Sequence, residues 1–351
     1  MHRKTDPPDM SHPANDRLTQ WLAQETPEPV IEPDLPIVDP HHHLWDLRTA
    51  TTEPFLGFEQ KVYLTDEITQ DIATSGHNVV QTVFAQCAAF YRADGPEAMR
   101  CVGETEFVHG IAAMSRSGIY GPARLCTGIF GAADLRAGKD VEPVIRAHLA
   151  ASPNFRGIRT AFPRNFEGAF LDGYSILAKY DLSLDHYSPD CEKLRDLARL
   201  AAAQPEVTVI VNHLGGRVDP NASPNDFAKW RDCIDTVARC KNVVMKLGGG
   251  QQRVGPWEPP FHMHKRAQPI GSEELSELLY RWYHHALGAF GPDRCMFESN
   301  FPVDKECVSY RTLWNAFKRI AAKAGLSATE KANVFSGTAA RAYRLTLTNA
   351  A

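Results

Sequence analysis

Eight short apolar runs, nearly every neighbouring pair separated by a stretch of helical periodicity, constrain the fold of this chain more than any other feature. They lie at 36–39, 78–85, 125–130, 155–159, 182–186, 207–213, 242–247 and 294–300. The sixth, Val207-Thr208-Val209-Ile210-Val211-Asn212-His213, is β-branched and almost continuously apolar, as expected of a strand covered on both faces. Between the runs, helical stretches are expected at 65–75, 104–115, 141–150, 189–203, 226–238 and 273–289, with two more at about 309–323 and 327–344. In the 189–203 stretch Cys191, Leu194, Leu197, Ala198 and Ala201 mark one face at spacings of three and four. Strands that alternate with helices pair in parallel as βαβ units. Eight such units close into a barrel. The competing open, doubly wound sheet would carry a glycine-rich turn after its first strand, where this chain has His41-His42-His43. The expected fold is therefore α/β: a single (β/α)8 TIM barrel over 36–345. It carries an N-terminal extension over 1–35, an insertion after the seventh strand at 248–271, and a tail over 346–351.

Lys and Arg number 38 against 42 Asp and Glu, a net charge of −4. That balance argues against a chain that coats nucleic acid or an anionic membrane. The expected partner is a small-molecule substrate, with no nucleic acid and no membrane, and a homo-oligomer left open. Eight cysteines are scattered singly without a CxxC, which suits buried thiols in a reducing compartment. The polar N-terminus has no apolar signal core, and no apolar stretch approaches the roughly 20 residues of a membrane span. A cytoplasmic location is expected.

In a barrel of this kind the reactive groups gather at the C-terminal ends of the strands. Those ends read His41 and His43, Arg156 and Arg159, Asp185 and His186, His213, Lys246, and Asn300 with Asp304. Alternate residues of a strand share a face, so His41 and His43 can both look into the mouth, where two neutral imidazoles suit zinc. A hydrogen-bonded histidine pair is the plainer alternative, and His42 between them is expected to be structural. His213 is a third ligand, a substrate-polarising group or a satisfied core histidine. Arg156 and Arg159 are three residues apart, so at most one looks inward; the planar guanidinium suits a carboxylate or a polarised carbonyl. Lys246 fits an anionic substrate or a carboxylate partner equally well. His262 and His264 lie in the long insertion, a lid or binding loop by its length, and His264 is a candidate for substrate contact.

These residues carry a resemblance. Ile37-Val38-Asp39-Pro40-His41-His42-His43-Leu44-Trp45-Asp46 is similar to the opening signature of the amidohydrolase-related group of the amidohydrolase superfamily. Further matches are Phe155-Arg156-Gly157-Ile158-Arg159, Asn212-His213-Leu214-Gly215-Gly216, Cys295-Met296-Phe297-Glu298-Ser299-Asn300-Phe301-Pro302-Val303-Asp304, and Gly337-Thr338-Ala339 with Arg341-Ala342-Tyr343. The group includes sugar-lactone hydrolases, 2-pyrone-4,6-dicarboxylate hydrolases and, more distantly, metal-dependent aromatic-acid decarboxylases. The resemblance covers about 30–345 and implies a (β/α)8 barrel. It implies His41, His43 and His213 as catalytic or metal-ligating residues, and Arg159 as the substrate-binding arginine.

The eighth strand departs from the group. Relatives carry Ser-Asp-x-Pro where this chain has Ser299-Asn300-Phe301-Pro302, and an amide cannot accept a proton from water at neutral pH. Asp304 is therefore expected as the base, with Asp185 second and Asn300 orienting the water. A bridging lysine on the fourth strand is also missing, which argues against two metals. One divalent ion is expected, zinc first, with metal-independent action left open. The implied activity is hydrolysis of a lactone or similar ester-like bond in a small, carboxylate-bearing substrate, with Lys246, Asp185, His186, His264 and Trp45 as further substrate contacts. Two rivals remain. One is a metal-dependent non-oxidative decarboxylase of an aromatic or enoic acid, with an aromatic pocket drawn from Trp45, Phe55, Trp257 and Phe261; the other is a barrel that binds ligand without catalysis.

Overall fold

The computed structural model describes residues 13–48, 58–159, 166–187, 190–216, 218–249 and 266–347. The strands are β1 (Ile37–His42), β2 (Val79–Phe84), β3 (Arg124–Ala132), β4 (Phe155–Arg159), β5 (Ser183–His186), β6 (Val209–Val211), β7 (Val243–Leu247) and β8 (Cys295–Phe297). They form one sheet in chain order, and every paired neighbour runs parallel. The sheet curls back on itself: a parallel bridge joins His42 to Phe301, and the backbone amides of His43 and Asn300 donate to the carbonyls of Phe301 (2.7 Å) and His41 (2.9 Å). The arrangement is the expected (β/α)8 barrel.

The helices are α1 (Pro13–Leu22), α2 (Thr65–Ser75), α3 (Val102–Arg116), α4 (Glu142–Ala151), α5 (Ala169–Lys179), α6 (Lys193–Ala203), α7 (Pro224–Ala238), α8 (Ser272–Phe290) and α9 (Tyr310–Lys323). The helices are amphipathic and bury an apolar stripe; in α6 that stripe is Leu194, Leu197, Ala198, Leu200 and Ala201. Three features differ from the sequence expectation. Helix α5 fills a gap in which no helix was expected. The sixth and eighth strands are shorter, because the backbone turns out of the extended region just past them: φ is +52° at His213 and +56° at Asn300. The expected last helix breaks into Ala328–Ala332, a π turn at Asn333–Gly337, and Thr338–Ala342.

Inside the barrel, apolar side chains fill the end where the strands begin. Val38, Val83, Phe130, Ile210 and Met296 pack with Tyr343 from the C-terminal segment, and Phe130 meets Tyr343 edge-on at 4.8 Å. The histidine cluster lies toward the opposite mouth. All eight cysteines are free thiols. Among the described residues no helix is long and apolar enough to cross a membrane.

Candidate active site

At the end of β1 the ladder slips between Asp39 and His42. Pro40 has no N–H to give to the neighbouring strand, and a bulge there re-aims the side chains that follow. His41 and His43 then converge, their Nε2 atoms 3.2 Å apart. His43 Nδ1 lies 2.8 Å from the Ala85 carbonyl, so Nδ1 carries the proton and Nε2 offers its lone pair. The His213 ring comes to 4.7 Å from that of His41. Its position depends on a glycine: a Cβ at Gly249, where φ is +63°, would lie 2.4 Å from His213 Nδ1. Burial, followed by the charges of Lys246 on His41 and of Arg159 on His43, holds both imidazoles well below the usual histidine range. They are neutral at physiological pH.

The carboxylate that meets these histidines is Glu298. Its Oε1 accepts from His213 Nδ1 (2.7 Å) and from the His213 backbone amide (3.2 Å), and its Oε2 lies 2.9 Å from His41 Nδ1. Glu298 is fully buried, whereas His213 is 8% exposed, so the imidazole stands between the carboxylate and solvent. Sequence reasoning passed over Glu298 in favour of Asn300 and Asp304. The signal was available: it directly follows the buried β8, and residues 298 and 300 are two apart, the spacing that shares a face in extended chain.

Asp304 instead stands behind the site, fully buried, accepting from Asn300 Nδ2 at 3.1 Å. Asp185 is also engaged elsewhere: Oδ2 pairs with Lys246 Nζ at 3.1 Å, and Oδ1 accepts from Asn212 Nδ2. Lys246 is wholly buried and not a surface for substrate. Its Nζ lies 3.0 Å from His41 Nδ1 and 3.9 Å from Glu298 Oε2, and rests over the Phe130 ring at 5.0 Å. The layer of Lys246, Asp185 and Asn212 thus supports the histidines from below.

Of the remaining candidates, Arg159 reaches the mouth. Its Nη1 donates to the Gln86 carbonyl at 2.8 Å and its Nε lies 3.9 Å from Asp185, with 19% of the side chain exposed. Arg156 turns to the other end of the barrel and binds the Tyr343 carbonyl at 2.7 Å. His186 is buried, and burial depresses its pKa to about 3. Trp45 is buried as well; its indole donates to the Gln60 carbonyl and stacks beside His43 at 6.0 Å. His42 is structural, bonded to Thr82 Oγ1 at 2.8 Å. His262, His264, Phe55, Trp257 and Phe261 lie outside the described residues.

Two donor groupings suit a divalent cation. Atoms of His41, His213 and Glu298 lie within 4.8 Å of one another. An ion there would stand against the Lys246 ammonium, 3.0 Å from His41 Nδ1. The second grouping is the facing Nε2 pair of His41 and His43, whose 3.2 Å separation matches the edge of about 3.3 Å between two nitrogen ligands of tetrahedral zinc. With the His41 proton on Nδ1, 2.9 Å from Glu298 Oε2, both Nε2 atoms offer lone pairs, and the Ala85 carbonyl presets the His43 tautomer, as an outer partner does for a metal-bound histidine. The residues therefore fit one ion on this edge.

The comparisons with known proteins agree with the fold. An uncharacterised protein of Sinorhizobium fredii, y4mH, is 31% identical over 341 residues, covering 89% of this chain and 99% of the relative. The L-fucono-1,5-lactonase of Burkholderia multivorans is 27% identical over 317 residues, 88% of this chain and 96% of that enzyme. A solved Burkholderia multivorans amidohydrolase with bound zinc shares the fold at a TM-score of 0.69 and 23% identity, covering 88% of this chain and 99% of that one. The amidohydrolase family profile matches residues 38–345. Because that match runs from the second residue of β1 to the segment that plugs the barrel floor, the chain belongs to the amidohydrolase family.

Proposed function

We propose that this protein hydrolyses a lactone, opening the ring ester of a small substrate that carries a carboxylate or other oxygen-rich group beside its carbonyl. The observation that carries this reading is the His213–Glu298 pair at the mouth, with Arg159 as the exposed cation beside it. A carboxylate on Nδ1 fixes the imidazole tautomer and stabilises the imidazolium that forms when Nε2 takes a proton. In this reading His213 removes a proton from water as the water oxygen bonds to the carbonyl carbon. The tetrahedral intermediate then collapses: the bond from carbon to ring oxygen breaks, and His213 returns the proton to that oxygen, leaving a hydroxy acid. Arg159 anchors the substrate and meets negative charge developing on the carbonyl oxygen. Asn300, whose buried Oδ1 accepts no hydrogen bond in the structure, would accept a hydrogen bond from the other O–H of the attacking water and so orient it. A divalent ion would be held by His41 and His43, and when bound it withdraws electrons from the carbonyl.

The similarity to the L-fucono-1,5-lactonase supports this substrate class. The test is a panel of sugar lactones and pyrone carboxylates, assayed with and without chelator. Glu298→Gln should lower kcat by about 10²-fold or more, while Asp304→Asn should have a smaller effect. Release of carbon dioxide from an aromatic acid, with no ring opening on any lactone, would refute the proposal.

A further inference from the structure

Arg159 and Tyr187 mark the edge of a second space. A cleft of about 630 Å³ extends from them over the ends of β3 and β4, between the segment after β2 and the start of α4. Tyr187 ties it to the histidine cluster, its ring 5.2 Å from that of His213. The near wall carries Gln86, whose carbonyl accepts from Arg159 and whose amide donates to the Tyr91 hydroxyl at 2.9 Å. The volume is within the range of sites that enclose a drug-sized ligand. It is far more than a lone sugar ring at Arg159 would fill.

The lining gives the chemistry. The floor is Cys101, Ala132, Ala133, Val141 and Val144, and burial raises the Cys101 thiol to about 11, so it too is uncharged. Such a floor offers few partners to the hydroxyls of a polyol, whose burial without hydrogen bonds is unfavourable. Charge on the rim is acidic. Glu97 and Asp140 form no ion pair among the described residues, and the one further cation, Arg136, is clamped by Asp134 through two bonds of 2.7 Å. A second carboxylate on the ligand would meet these acids with no free cation among the described lining residues to receive it.

We infer that this cleft is a subsite for an uncharged, apolar extension of the substrate. The ligand is then a lactone bearing a neutral alkyl or aryl substituent, anchored at Arg159 by its polar end, and not a dicarboxylate. This rests on the lactonase reading for the reaction but not for the binding.

The experiment therefore has two arms. In the first, kcat/KM is measured on δ-valerolactone, δ-hexalactone and δ-decalactone, and should rise about two- to fourfold per added methylene. Ala137→Trp and Ala98→Trp place bulk at exposed positions of the cleft wall; each should collapse the ratio of δ-decalactone to δ-valerolactone toward one. In the second arm, titration calorimetry compares the ring-opened acids 5-hydroxypentanoate and 5-hydroxydecanoate on the wild type and both variants. The longer acid should bind about tenfold or more tightly to the wild type only. Chain-length-dependent binding without any turnover would sustain the subsite and remove the lactonase. Equal binding of the two acids, or a preference that survives both tryptophans, would overturn the subsite whatever the turnover.

Discussion

Lys246 is a charged side chain with no exposed surface, held between Asp185 at 3.1 Å and His41 at 3.0 Å above the apolar plug. Removing one member of such a buried pair strands the other, at about 3–5 kcal/mol. Lys246→Met should therefore lower the unfolding free energy by about that amount in urea titrations, and Asp185→Leu in the same chain should recover part of it. A loss below about 1 kcal/mol would contradict the ion pair. Glu104 in the first turn of α3 is a different case. Its Oε1 accepts from the amides of Cys87 and Ala89, and burial raises its pKa to about 8 against an ordinary 4.5. Between those values the folded chain keeps a proton that the unfolded chain has released, so stability from this group is full below about pH 4.5. It falls as pH rises toward 8 and levels off above it. Glu104→Gln removes the titration. Relative to the variant, the wild type should lose stability between pH 5 and pH 8, which chemical denaturation at several pH values would show.

Elements were more legible in the sequence than the contacts among them. Thr65–Ser75 and Phe155–Arg159 stand where periodicity puts them, because their hydrophobic spacing alone specifies the buried side. Helix α5 escaped because Gly173 and Ser175 interrupt it as loop residues do. The glycine is there for packing: a Cβ at 173 would lie 2.2 Å from the Leu135 carbonyl, where the helix presses on the turn at Leu135–Val141. Gly173→Ala should accordingly destabilise the protein by about 1–3 kcal/mol, although alanine is the better helix former. Unchanged melting would show that the two segments can part. The histidines of the site were readable from strand ends for the same reason as the strands. Glu298 was passed over although its place after β8 was readable, because its partners show only once the neighbouring strand is in place. The inward face of Lys246 likewise depended on knowing that Asp185 lies across the barrel.

On the scale of the whole molecule, the segment before β1 straps α8 and α9 together. Lys318 donates to the carbonyls of Ile31 and Glu32 (both 2.8 Å), Asn315 to that of Pro29 (2.9 Å), and the Ser272 amide to Glu28 (3.1 Å). Leu18, Trp21 and Leu22 are buried beside them. Deleting residues 1–35 would expose that apolar surface and leave buried donors without acceptors, each worth about 1–3 kcal/mol. The truncated protein should melt several degrees lower or accumulate as aggregate, as a thermal scan would record; an unaltered melting temperature would mean the strap is dispensable.

The seam of the barrel, where His41 and His43 bond to Asn300 and Phe301, has a consequence for biosynthesis. The imidazoles emerge from the ribosome early and Glu298 near the end, so His213 has no carboxylate until the final strand docks. On the proposed mechanism, a nascent or truncated chain lacking that strand would have no carboxylate to fix the His213 tautomer, however well its other strands had folded. Turnover through that pair would thereby report that the barrel has closed.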